Sequence, residues 1–287
     1  MVRGGGGAGV GCSRFLFGRR LQKFLKLVRR REGGTSETDG EGAFHGPMSS
    51  VVSLDHLPLS TWSSVYEPAE DTWLLIDAVS ADAARLAGLT PPPSLLLELG
   101  SGSGAVCASA LLSLRRAGAA LGVASPPPLC LAADLSPAAC AATASTAAAH
   151  GVGVEVVQCD LLAPLARRLV GAVDVLLFNP PYVPTPPEEV PKPGAFAPAA
   201  GGGGAGGDAL PAAWAGGERG REVIDRALPV LVPLLRAGGG ALFLVLVEDN
   251  APEEVLARLS ALGTEAAVVA RVKAANERLC IVKATRV

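Results

Sequence analysis

The sequence predicts an α/β fold: a mostly parallel sheet of seven strands, helices on both of its faces, and a terminal antiparallel strand pair. Three observations carry that prediction. Five short runs rich in apolar or β-branched residues, at about residues 94–99, 129–133, 153–158, 173–178 and 240–247, have strand length and read as strands buried on both faces of a parallel sheet. The first of them enters Gly100-Ser101-Gly102-Ser103-Gly104 and then a helical pattern at residues 105–114, as a strand-turn-helix unit does. Two last runs, about 266–272 and 278–284, follow one another with no helix between them, the pattern of an antiparallel hairpin.

Taken in order, residues 1–47 stand apart from this fold. After a Gly-rich start, Phe17, Leu21, Phe24, Leu25 and Val28 recur at helical spacing among Arg19, Arg20, Lys23, Lys26 and Arg30, a short basic amphipathic pattern. An organelle transit peptide, a membrane-surface helix and a dispensable segment preceding a start at Met48 all fit it. The word Val65-Tyr66-Glu67-Pro68-Ala69-Glu70-Asp71-Thr72 precedes apolar positions at helical spacing, Trp73 to Ala78. Pro68 suits a first helical turn, and Glu67, Glu70 and Asp71 suit the positive end of a helix dipole.

The glycines after the first strand allow a tight turn and close approach of backbone to a ligand at a helix N-terminus. Gly100, Gly102 and Ala105 satisfy the loose dinucleotide pattern Gly-x-Gly-x-x-Gly/Ala. Asp134 ends the second strand, where a carboxylate can accept both hydroxyls of a ribose. Its distance in sequence from the glycines exceeds the roughly 20 residues usual for nicotinamide cofactors. An Ala-rich helix follows from Pro137, and the third strand ends in Cys159-Asp160-Leu161, where a second carboxylate can accept from an adenine amino group. Two acids at the ends of successive strands after a Gly-rich turn describe an adenosine site.

The fourth strand ends in Asn179-Pro180-Pro181-Tyr182. Neither proline donates a ladder hydrogen bond, so the sheet must stop, and Asn179 falls just past the carboxyl end of a buried strand, where open α/β sheets bind ligands. The Asn179 carbonyl and the two donor-free proline carbonyls are acceptors suited to a planar NH2 group, with Tyr182 as a flat wall beside it. Acceptors that hold both hydrogens orient a poorly nucleophilic nitrogen for attack on an electrophile. Residues 184–212, dominated by Pro, Gly and Ala, read as a long loop over the carboxyl edge of the sheet. A helix at 221–235, interrupted by Pro229 and Pro233, and another near 252–262 complete the chain.

Composition narrows the function. The formal charge of -2 conceals a basic segment, because residues 1–31 hold nine Lys or Arg and no acid. The remaining 256 residues carry 16 basic against 27 acidic side chains, a net -11 that argues against nucleic acid as the main partner. No apolar stretch reaches the roughly 18 to 20 residues of a membrane span. The six cysteines, at 12, 107, 130, 140, 159 and 280, show no Cys-x-x-Cys spacing, and His45, His56 and His150 form no close pair in sequence. A reducing compartment with no metal site and no disulfide framework is expected.

Together these residues resemble a known family. The Glu98-Leu99-Gly100-Ser101-Gly102-Ser103-Gly104 turn, the acids after strands two and three, and Asn179-Pro180-Pro181-Tyr182 are similar to a Rossmann-like class I S-adenosylmethionine-dependent methyltransferase of the HemK type, which modifies the side-chain nitrogen of protein glutamine. The likeness is closer to its eukaryotic branch, HemK methyltransferase family member 2, on the words at 65–72, 178–186 and 213–223, and spans about residues 64–283. Residues 48–287 are then one methyltransferase domain behind a basic N-terminal extension.

The resemblance implies that Thr72, Glu98, Gly100, Gly102, Asp134, Asp160, Leu161 and Asn179 contact S-adenosylmethionine, and that Asn179, Pro180 and Tyr182 hold the substrate amide. It further implies a glutamine in the Gly-Gly-Gln motif of a class 1 release factor as substrate. A small zinc-binding activator subunit is the implied partner, and the apolar residues Val154 and Val156 of an edge strand offer it a pairing surface. A cytoplasmic location is expected, with nuclear presence and organelle targeting by residues 1–31 left open. The family's loop after the Asn-Pro-Pro-Tyr word is much shorter than 184–212, which bears on substrate access. An adenine amino-methyltransferase is an alternative, disfavoured by the acidic domain. A nucleotide-binding dehydrogenase or non-catalytic scaffold is another, disfavoured by Asn179 and by the long spacing from Gly100 to Asp134.

Overall fold

The computed structural model describes residues 52–123, 126–190, 210–274 and 277–287. The strands are β1 (Leu95–Leu99), β2 (Leu129–Asp134), β3 (Val154–Gln158), β4 (Val175–Phe178), β5 (Ala241–Val247), β6 (Thr264–Lys273) and β7 (Arg278–Arg286). They form one seven-stranded sheet in the order β3-β2-β1-β4-β5-β7-β6. The pairs among β1 to β5 are parallel, and β7 runs antiparallel to both β5 and β6. The helices are α1 (Glu70–Ala87), α2 (Ala105–Ala120), α3 (Pro137–Ala149), the single turn α4 (Ala166–Leu169), α5 (Glu222–Leu231) and α6 (Pro252–Ala261). No described helix is long and apolar enough to cross a membrane. The N-terminal extension and the part of the long loop at 191–209 lie outside the described residues.

Every position of β4 and β5 is buried, which is why their sequences do not alternate. Phe243 of β5, Leu177 of β4, Leu97 of β1 and Leu75 and Leu86 of α1 are fully enclosed in one core. The parallel registers set Leu99 beside both Ala133 and Phe178. Residues 100, 134 and 179 therefore leave three adjacent strands at one level, at the carboxyl edge where ligands bind.

Several boundaries differ from the sequence reading. Pro68 lies before α1, whose N-cap is Ala69, and is not part of its first turn. Helix α2 continues six residues past 114, because Ala117, Ala119 and Ala120 favour helix and one Gly118 is tolerated. Pro229 sits inside α5, and the chain tightens after it into a 3-10 turn, Val232–Leu234, that includes Pro233. His56 and His150, far apart in sequence, meet edge-to-face at 5.9 Å. That contact lies where the segment before α1 crosses α3, with His56 Nε2 3.0 Å from Thr146 Oγ1.

Strand β4 begins at Val175, two residues later than expected, because Asp174 is engaged as a clamp between strands. Its Oδ2 accepts from Ser94 N at 2.7 Å, Ser94 Oγ at 2.9 Å and Leu95 N at 3.0 Å, and its Oδ1 pairs with the Arg236 guanidinium. Burial pushes this carboxyl up, but the N–H groups of Ser94 and Leu95 and the Arg236 charge outweigh burial and hold it below the usual aspartate value. Such a group stabilises the fold above its unfolded pKa, about 3.9, and loses that contribution as pH falls through its lower folded value. Asp174→Ala is expected to cost about 2–3 kcal/mol at pH 7, since it strands a partly buried guanidinium and the part-buried Ser94 and Leu95 N–H groups. The difference from wild type should shrink below about pH 4. Urea unfolding at several pH values measures both, and a difference independent of pH would contradict the assignment.

Candidate active site

The turn after β1 carries Gly100, Gly102 and Gly104 at φ of +70°, +53° and +78°, a left-handed conformation that glycine adopts without strain. It delivers the chain to the N-terminus of α2 and turns the Gly102 N–H toward Asp134, whose Oδ2 accepts at 2.9 Å. The other Asp134 oxygen accepts from Ser136 N at 2.8 Å. The carboxylate is thus fixed by two backbone donors, with lone pairs left over on both oxygens. Burial pushes Asp134 up, against the pull of the Gly102, Ser136 and Leu135 N–H groups.

Glu98, on β1, is 3% exposed and accepts from Cys107 N at 3.0 Å, so it is bound to the first turn of α2. Burial raises it well above an ordinary glutamate, and the Cys107 thiol adds to the rise. Asp160 stands across the cavity after β3, paired with Arg226 of α5 at 3.2 Å. Leu161 follows it with φ of +43°.

On the far wall the carboxylate of Asp71, 2% exposed in the first turn of α1, gathers donors from three parts of the chain. Its Oδ1 accepts from Thr72 N at 2.7 Å, and its Oδ2 accepts from Asn179 Nδ2 at 2.9 Å and Tyr182 Oη at 3.1 Å. The Tyr66 hydroxyl lies 3.3 Å from both oxygens. Burial, followed by the charge of Asp71, drives both tyrosine hydroxyls far above their ordinary pKa, so they remain donors. With its NH2 bound to an acceptor-only group, Asn179 must present its carbonyl the other way. Asn179 Oδ1 is buried and has no hydrogen-bond partner.

One cavity is bordered by Thr72, Glu98, Gly100 and Gly102, and also by Asp134, Asp160, Leu161 and Asn179. The sequence-predicted cofactor residues therefore converge. Pro180 and Tyr182 do not border the cavity; Pro181 does. Tyr182 is not the flat wall read from the sequence, because its ring is buried and its hydroxyl is turned to Asp71. Asp71 itself escaped the sequence reading, which treated it as a helix-dipole residue. The signal was present in the word at 65–72, but the partners that define its role lie 108 and 111 residues away. Arg226, Phe178 and Tyr66 also border the cavity and were not singled out. Among the described residues no His, Cys, Asp and Glu cluster is arranged to hold a metal ion.

No model of a protein family matches the chain. Human Methyltransferase HEMK2 is 40% identical to it over 231 residues, 80% of this chain and 94% of the human protein. The chain belongs to the HEMK2 methyltransferase family. A second relative, the eRF1 methyltransferase catalytic subunit mtq2 of Schizosaccharomyces pombe, is 32% identical over 250 residues, covering 84% of this chain and 97% of that protein. Among solved structures, the E. cuniculi Mtq2-Trm112 complex, described as responsible for methylation of the eRF1 translation termination factor, is 28% identical. It covers 78% of this chain and 99% of its own, with a TM-score of 0.48.

Proposed function

We propose that this chain transfers a methyl group from S-adenosylmethionine to the side-chain amide nitrogen of a glutamine, in the Gly-Gly-Gln motif of a class 1 release factor. The observation that carries the reading is the Asn179 carboxamide: its nitrogen is held by Asp71, and its oxygen is buried beside the cavity without a partner. A buried acceptor left unmade is costly, and a substrate NH2 satisfies it. The donor set suits the cofactor as well. Glu98, Asp134 and Asp160 face a ligand that is a cation with hydroxyl and amino donors, and the one basic side chain at the described wall, Arg226, is paired with Asp160.

When bound, S-adenosylmethionine supplies an electrophilic methyl group on a sulfonium. Asp134 would accept the ribose hydroxyls and Asp160 the adenine amino group, with Glu98 and the Gly100–Gly102 backbone holding the remainder. Asn179 Oδ1 accepts one hydrogen of the substrate amide. An acceptor fixed against one hydrogen of that NH2 sets the nitrogen lone pair in line with the methyl and favours its localisation. The Asn179 carboxamide is not a base, so the proton leaves to solvent after transfer. Catalysis rests on positioning.

The same proposal includes a second subunit and a cytoplasmic location. The S. pombe relative is named a catalytic subunit, which supports an assembly. Strand β3 is one of the two edge strands of the sheet, β6 being the other, and Val154, Val156 and Val157 along it are only half-buried, as a strand waiting for a small activator chain would be. The test is transfer of isotope-labelled methyl groups to a release factor, with the zinc-binding activator co-expressed, followed by mass spectrometry. Label is expected on the Gly-Gly-Gln glutamine and none on a release factor carrying Asn there. Label on duplex DNA instead, or none on the release factor with activator present, defeats the proposal.

A further inference from the structure

We propose that Asn250 is a positioning residue for methyl transfer, holding the back of the Asn179–Tyr182 turn so that the Asn179 carbonyl faces the cavity; this rests on the acceptor role given to Asn179 above. Asn250 follows β5 at the end of a 3-10 turn and is completely buried. Its Oδ1 accepts from Val247 N at 2.9 Å, and its Nδ2 donates to Tyr182 O and to Arg219 O, each at 2.9 Å. Its own carbonyl accepts from Arg221 Nη1 at 3.2 Å. One carboxamide thereby ties the end of β5, the catalytic turn and the loop before α5.

Tyr182 is consequently held at two ends, its carbonyl by Asn250 and its hydroxyl by Asp71 at 3.1 Å. Asp71 in turn holds the Asn179 amide. Asn250 is not at the cavity wall, so its influence on the substrate acceptor passes through Tyr182 and Asp71.

The surrounding backbone leaves this arrangement no slack. Val183 N donates to Trp214 O at 3.0 Å and Gly216 N to Val183 O at 2.9 Å. A Cβ on Gly216 would stand 2.6 Å from Pro181 O, and one on Gly220 would stand 1.8 Å from Tyr182 O and 2.6 Å from Asn250 Nδ2. This explains Gly216 and Gly220 of the 213–223 word, which the chemistry alone does not require: they let a second loop press directly on the carbonyls of the catalytic turn. Packing fixes where the turn lies, and Asn250 supplies the directed bonds.

The experiment compares Asn250→Asp, Tyr182→Phe and the double variant with wild type, using the full chain with its activator and the release factor. The new carboxyl still accepts from Val247 N but turns an oxygen toward two carbonyls. Its kcat at saturating cofactor is expected to fall about 10- to 100-fold, the cost of misplacing a reacting group by a fraction of an ångström to 1 Å. The Kd of S-adenosylmethionine by calorimetry should stay within about threefold, since the cofactor carboxylates are untouched.

Because Asn250 acts through Tyr182, the double variant should lose less than the product of the single losses. Backbone hydrogen exchange over 179–185 should rise in Asn250→Asp while that of β1 and β2 does not. If Asn250→Asp does not fold, Asn250→Ser carries the same comparisons. A lowered Tm with kcat per folded molecule unchanged, or multiplicative losses, overturns the proposal. A wild-type protein inactive on glutamine, but with the exchange change present, would instead refute the substrate and leave the positioning role standing.

Discussion

Asp71→Asn is expected to lower methyl transfer about 100- to 1,000-fold while preserving cavity shape and cofactor affinity, the scale seen when one preorganised polar group is lost from an active site. The substituted side chain has the same size, so the effect comes from hydrogen-bond polarity. Thr72 N is a backbone donor 2.7 Å from one Asp71 oxygen and cannot rotate away, so the new amide must offer it the carbonyl. Its NH2 then points at Asn179, where Asp71 Oδ2 now accepts at 2.9 Å. Two NH2 groups cannot satisfy each other, and the Asn179 amide turns over. The carbonyl that lay unpartnered at the cavity is replaced by a donor, facing a substrate whose NH2 is also a donor.

Asp71→Ala is a different perturbation. It strands the Tyr66 and Tyr182 hydroxyls as well as the Asn179 amide, so it should lower thermal stability in addition to activity. Steady-state kinetics at saturating cofactor, beside calorimetry and thermal unfolding, separate the two variants. An Asp71→Asn enzyme within threefold of wild type would remove Asp71 from the account.

What could be read in advance divides along a physical line. Strand β4 and its end were legible because two prolines forbid a ladder, a rule that needs no knowledge of the rest of the chain. The turn at Gly100–Gly104 and the acid at Asp134 were legible for the same reason: backbone sterics and strand ends act locally. Asp71 carried an adequate local explanation, the helix dipole, and that explanation hid a tertiary one. Asp174 and Asn250 share the pattern. Each is a short polar side chain beside a strand, unremarkable in sequence, and each gains its role from backbone groups about 30 to 80 residues away. Tyr182 was recognised as part of the motif, but its direction was not. A tyrosine ring can face a ligand or the core, and the buried carboxylate that decides the matter comes from a distant helix.

Asn179→Ala is expected to abolish methyl transfer while the Kd of S-adenosylmethionine changes by only a few-fold, because Glu98, Asp134 and Asp160 remain in place. Asn179→Asp discriminates further. It sets a second carboxyl where Asn179 Nδ2 now lies 2.9 Å from Asp71 Oδ2. Two carboxylates that close cannot both ionise, so one proton is retained between them and the pair titrates above the ordinary aspartate range. While the proton is shared, the other oxygen of the new carboxyl occupies the position of the amide carbonyl and still accepts from the substrate. When it is lost, the two groups repel and the acceptor swings out of line. The sign follows: residual Asn179→Asp activity should be greatest at low pH and fall as pH rises through the raised pKa of the pair. Asn179→Ala should remain inactive throughout, and wild type should show no such fall in activity as pH rises. Equal, pH-independent loss in both variants would mean that an acceptor of the same size at position 179 restores nothing, and would remove the aimed acceptor from the account.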